Sequence, residues 1–104
     1  MSDIPDPEAC VTMTDVRAGV DSVDQRLVAL LDERFAYMRA AARIKPERGH
    51  VRDEARKAQV IAAARAAAFD LGVPVGLVGD FWERLVEASI AYEMQAWERN
   101  NAGS

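Results

Sequence analysis

From Val16 to Lys45 the chain runs thirty residues without a proline, and its apolar residues recur in steps of four and three. Val16, Val20, Val23, Leu27 and Leu30 mark one stripe of a helix. Pro46 ends the run, because proline lacks an amide donor and disfavours helix in the residue before it. At 1.5 Å per residue, such a helix is about 45 Å long. The whole chain has 104 residues, enough for one small domain. A helix of that length exceeds the diameter of such a domain, so its far end needs a second chain to pack against. That favours an intertwined homodimer, as does the modest share of surface a chain this short can bury alone.

The same rhythm continues into Arg34, Met38, Ala41 and Lys45. Two cations on a core-facing stripe are costly unless an anion meets them, which makes a buried site for a small anion the first hypothesis. Arg34 and Lys45 share a helical face about 16 Å apart along the axis, within joint reach of one ligand. The planar fork of Arg suits a carboxylate, to which it can donate two parallel hydrogen bonds. The pattern also fits an Arg34 that pairs with surface acids or snorkels out of a loosely packed seam. Arg17 lies about 25 Å from Arg34 on the same helix and can serve its site only from an antiparallel partner. Spacing alone favours an exposed salt bridge from Arg17 to Asp21.

The remaining pattern is helical throughout, and no alternation of β-branched residues supports a strand. The expected fold is all-α, a three-helix protomer with a long first helix. Residues 1–12 read as a flexible leader, 13–100 as the helical domain and 101–104 as a frayed end. Thr12 and Asp15 have the form of a capping box at the first helix start. After a polar loop from Pro46 to Val51, a second helix starts near Arg52 or Asp53 and ends at Gly72, with Pro74 just beyond. The third runs from about Val75 to Arg99, with Val78, Phe81, Trp82, Leu85, Ser89, Glu93 and Trp97 on its seam.

Composition narrows the chemistry. The formal net charge of -4 argues against nucleic acid, whose phosphates need a basic face. Cys10 is the single cysteine and His50 the single histidine, so a disulfide framework, a Cys or His metal cluster and a Ser-His-Asp triad are not expected. No apolar run approaches the length of a membrane span, and the leader has no apolar signal core. The expectation is a cytoplasmic protein with no metal, no cofactor, and no membrane or nucleic-acid partner.

Further polar candidates lie on the second and third helices. Asp53, Arg56 and Lys57 open the second, where they also fit an ordinary solvated first turn with Asp53 favoured by the helix dipole. Arg56 can fall on the Val60 side and face inward. Ser89 and Glu93 are four apart on the face of Leu85 and Phe81, as site residues or as the edge of the apolar stripe. Trp82, Tyr92 and Trp97 read as packing groups, and Cys10 and His50 as incidental.

These residues together resemble the all-helical chorismate mutases, from about Thr14 to Trp97. The shared motif is an Arg, an Asp-x-x-Asp, a second Arg and then a Lys, here Arg17, Asp21 with Asp24, Arg34 and Lys45. The resemblance implies a homodimer with two equivalent sites for a small dicarboxylate. It implies that Arg34 holds one carboxylate and Arg17 of the partner subunit the other. Lys45 would donate to the ether oxygen and a carboxylate. Arg56, in the family's RDxxR pattern with Asp53, would lie near the carboxylate and hydroxyl end of the substrate, and Ser89 would touch a carboxylate.

Two positions depart from the mutase pattern. Lys57 stands where many mutases have a glutamate that accepts from the substrate hydroxyl. Glu93 stands where bacterial mutases usually have a glutamine that donates to the ether oxygen. An ion pair between Lys57 and Glu93 would leave the site's net charge unchanged. The related isochorismate-pyruvate lyases share both arginines and the lysine, and a leader like Pro7 to Cys10, but usually lack both the acid at position 53 and the glutamate at position 57; this chain keeps the first of those mutase features and loses the second. The resemblance therefore implies a chorismate mutase first, an isochorismate-pyruvate lyase second, and, given Lys57, a non-catalytic helical dimerisation or regulatory module third. A carboxylate cannot donate to the ether oxygen whereas a carboxylic acid can, so a catalytic Glu93 implies activity that rises with acidity.

Overall fold

The computed structural model describes residues 4–103. It holds three helices, α1 Met13–Ile44, α2 Glu54–Leu71 and α3 Val75–Asn101, and short 3-10 turns at Pro7–Ala9 and Arg48–His50. No strand occurs among the described residues. The all-helical expectation holds, and α1, at 32 residues, is as long as its sequence rhythm demands. The third helix extends two residues past Arg99, with Asn101 donating from Nδ2 to the Trp97 carbonyl at 2.8 Å. Two compact units divide the chain, Met1–Arg34 and Phe35–Ser104.

In the first unit the start of α1 is closed as the capping box requires. Thr12 Oγ1 accepts from the Asp15 amide at 3.1 Å, and Asp15 Oδ2 accepts from the amides of Val11 and Thr12 at 3.1 and 3.2 Å. The Val11 amide bond, followed by those from Thr12, holds the Asp15 carboxyl below its ordinary value. The segment expected as a leader lies along α1. Ile4, Pro7 and Cys10 face Val16, Val20 and Val23 across a groove of about 660 Å³. The seam beyond is open to solvent: Val20 is 52% exposed, Leu27 53% and Leu30 60%.

In the second unit α2 and α3 form an antiparallel hairpin. Gly72, at φ +74°, turns α2 off in the left-handed conformation that favours glycine. The Val73 amide then donates to the Ala68 carbonyl and the Gly72 amide to Phe69, a Schellman closure. Across the hairpin, Lys57 faces Glu87 and Arg65 lies against Gly79. Both pairs share one register, each residue of α2 moving forward as its counterpart on α3 moves back. The buried residues described are few and mostly small: Ala42, Val51, Ala68, Gly79, Leu85, Val86 and Ala96, joined by Ser89 and Glu93. Phe35 adds an edge-on ring contact with Tyr92, whose hydroxyl accepts from Arg39 at 2.7 Å. No described helix is long and apolar enough to cross a membrane.

Candidate active site

In the first unit Arg17 is exposed on α1 and Arg34 is half-buried. The other candidates fall in the second unit. Lys45 follows the last residue of α1, its amide donating to the Ala41 carbonyl at 2.9 Å. Its Nζ reaches Glu93 Oε2 at 2.6 Å. The two ends differ in setting, for the Lys45 side chain is 30% exposed and that of Glu93 only 5%. Burial of the carboxylate is tolerable because a cation sits on it. Ser89, one turn before Glu93 and also buried, donates from Oγ to the Leu85 carbonyl at 2.6 Å. Ser89 and Glu93 thus stand one turn apart on a buried polar stripe of α3, and Lys45 meets that stripe at Glu93.

The Lys57–Glu93 ion pair expected from the sequence does not form. Lys57 Nζ lies 2.6 Å from Glu83 Oε1 and 2.8 Å from Glu87 Oε2. The hairpin register explains this. With Lys57 opposite Glu87, Glu93 lies opposite the chain before α2 begins, and Lys45 reaches it instead. Glu87 also takes a two-pronged contact from Arg52, at 2.8 and 3.0 Å, while Arg52 reaches Glu54 at 2.7 Å. Hydrogen bonds from Arg52 and then Lys57 lower the Glu87 carboxyl to a pKa of about 2. Bonds to Glu83 and then Glu87 raise Lys57 to about 12, and those to Glu87 and then Glu54 raise Arg52. Lys57 is committed to a clip between the first turns of α2 and the middle of α3. Glu83, Glu87 and Arg52 were not marked by the sequence reading. Their spacing, with the two acids four apart, is the signal that could have found them.

Asp53 is the N-cap of α2, its Oδ1 accepting from the Arg56 amide at 2.9 Å. Arg56, which could have faced inward, is exposed and donates to Gln59 Oε1 at 2.8 Å. Trp97, read as a packing group, has a second contact. Its indole N–H donates to the Lys45 carbonyl at 3.0 Å. Its position one turn after Glu93 on the same face sets it on the Glu93 side of α3 but does not mark its N–H as a donor. Among the described residues, no group of three or more His, Cys, Asp or Glu is placed to hold a metal ion.

The family profile described as chorismate mutase type II matches residues 16–94. The chain belongs to this family of all-helical enzymes. It is also similar to a protein of Pseudomonas aeruginosa named isochorismate pyruvate lyase, with 24% identity over 98 residues, covering 94% of this chain and 97% of that protein. The match to the family spans every residue proposed for the site, from Arg17 to Glu93.

Proposed function

We propose that this chain is a chorismate mutase, which rearranges chorismate to prephenate within a homodimer. The observation that carries this reading is the cation Lys45 held at 2.6 Å by the buried Glu93. The reaction is a unimolecular rearrangement in which one carbon–oxygen bond breaks and one carbon–carbon bond forms. It needs no nucleophile and no obligatory proton transfer. Two tasks remain for the protein. The first is to hold the substrate in its compact conformer, which clamps on two carboxylates perform. The second is to stabilise the ether oxygen as it gains negative charge, by a donor placed beforehand.

Lys45 takes the second task in this reading. Arg34 takes one carboxylate, and Arg17 of the partner subunit takes the other. Asp53, Arg56 and Ser89 attend the carboxylate and hydroxyl groups. The open seam of α1 supports a second copy as partner, since Val20, Leu27 and Leu30 are each more than half exposed. Lys57 is assigned to the α2–α3 clip, where Glu83 and Glu87 engage it.

A second reading is favoured by the similarity to the protein named isochorismate pyruvate lyase. Loss of pyruvate from isochorismate, giving salicylate, uses the same anion clamps and the same cation at a breaking carbon–oxygen bond. Purified protein incubated with each substrate and followed by NMR separates the two. Prephenate from chorismate supports the mutase, and salicylate from isochorismate supports the lyase. Turnover of neither by a folded protein defeats both.

A further inference from the structure

A lysine side chain has four rotatable bonds, so an ammonium gripped only at its tip follows any movement of its backbone. The backbone of Lys45 is at a weak point. It is the last residue to donate into α1, and Pro46 after it has no amide hydrogen. Its carbonyl belongs to the terminal set that a helix leaves without internal donors. Trp97 supplies the missing donor, with its indole N–H 3.0 Å from that carbonyl. An indole N–H can only donate, and the contact is partly shielded from water.

Glu93 and Trp97 are four residues apart on α3 and share a face. One helix therefore holds Lys45 at both ends, the ammonium through Glu93 and the carbonyl through Trp97. The following connection also meets α3, through Arg48 and Glu98 at 3.2 Å, but both of those side chains are at least half exposed. Exposed pairs of that kind constrain weakly. The Trp97 contact is the firmer restraint on the residue itself.

We infer that Trp97 is a positioning residue for the reaction, fixing the backbone from which Lys45 presents its ammonium. The inference rests on the reading of Lys45 as the donor to the ether oxygen. If Trp97 only fills space, replacing its N–H while keeping its ring changes nothing.

Two variants test this: Trp97→Phe, and site-specific replacement of Trp97 by benzothienylalanine, which keeps the bicyclic ring and puts sulfur where the N–H was. The second carries the test if the first fails to fold. Lys45 and Lys57 are the only lysines in the chain, so protein labelled with carbon-13 at the lysine ε-position gives two signals. Lys57→Arg assigns them. The expected result is a shifted Lys45 signal, an unmoved Lys57 signal, and a kcat on the order of tenfold lower with KM within about twofold, as for a misplaced catalytic group. An unmoved Lys45 signal overturns the inference. So do a joint shift of both signals, a loss confined to KM, and an unchanged kcat. If the unaltered protein turns over neither chorismate nor isochorismate, the proposed function fails, while the two lysine signals still decide whether Trp97 places Lys45.

Discussion

Glu93 is 4% exposed, and its Oε2 lies 2.6 Å from Lys45 Nζ, so the buried carboxylate and the proposed ether-oxygen donor are in direct contact. A carboxylate in that place can only accept, and it competes with the substrate for the ammonium. Glu93→Gln removes the charge that holds the ammonium and supplies an amide that can itself donate to the ether oxygen, so the variant should show a higher kcat for the mutase reaction. Steady-state kinetics of the two proteins at one pH are the check. An unchanged or lower kcat in the variant would show that the Glu93 carboxylate does not hold Lys45 back from the substrate.

Glu87 carries the acid sensitivity of the hairpin. Its carboxyl has a pKa of about 2, against an ordinary value of 4.5. The folded pKa is the lower one, so its contribution to stability is present above about 4.5 and is lost as pH falls toward 2. Lys57 works in the opposite sense: its contribution is full below 10.5 and is lost as pH rises through about 12. Urea midpoints measured from pH 5 to pH 2 should therefore fall more steeply in the unaltered protein than in Glu87→Gln. The Arg52 and Glu87 side chains are 44% and 41% exposed, so added salt should also narrow the difference.

The local signals in this sequence were strong where one residue type has one use. Pro46, Gly72 and the Thr12–Asp15 box fixed helix ends that the structure reproduces, because each satisfies or removes a particular backbone group. The stripe from Val16 to Leu30 gave the length of α1. Pairings across the hairpin were not legible, because they depend on a register that no local pattern encodes. Lys57 illustrates this: it borders Glu93 in an account built from single helices, but the register places it on Glu83 and Glu87. Trp97 illustrates a second gap. Its hydrophobic bulk explained its place on the seam, and nothing in the spacing marked its N–H as the donor to a helix-terminal carbonyl.

Asp53 separates a folding role from a binding role. Its side chain caps α2 through the Arg56 amide at 2.9 Å. Asp53→Ala should cost about 1 kcal/mol in urea unfolding, and Asp53→Asn only a few tenths, since asparagine caps equally well. If Asp53 also accepts from a substrate hydroxyl, Asp53→Asn should raise KM without a matching loss of stability. Equal KM values in the two stable proteins would confine Asp53 to capping.

Gly72 and Gly79 look alike in the sequence and should respond oppositely to alanine. Gly72 sits at φ +74°, where a side chain is strained, so Gly72→Ala should destabilise by about 1 kcal/mol. At the buried Gly79 the nearest atoms an added methyl would meet belong to the guanidinium end of Arg65, an exposed and flexible side chain that can move aside. Helix propensity then favours alanine by up to about 1 kcal/mol, so Gly79→Ala should match or slightly exceed the parent in stability. Thermal unfolding of both variants decides the sign.

Arg17 and Arg34 give the sharpest test of a shared site. In the proposed homodimer each site takes Arg34 from one chain and Arg17 from the other. Arg17→Ala and Arg34→Ala should each lose most activity when pure, because one clamp is missing from both sites. Unfolding the two variants together and refolding them should produce dimers of mixed composition. In a mixed dimer one site collects both substitutions and the other collects neither. With random pairing, half the dimers are mixed, so about a quarter of all sites are intact. Turnover should recover to roughly that fraction of the parent protein, with the parent's KM in the restored sites. Recovery fails if both arginines serve a site within one chain, because every site then keeps one of the two lesions. Refolding each variant alone is the control, and it should restore nothing.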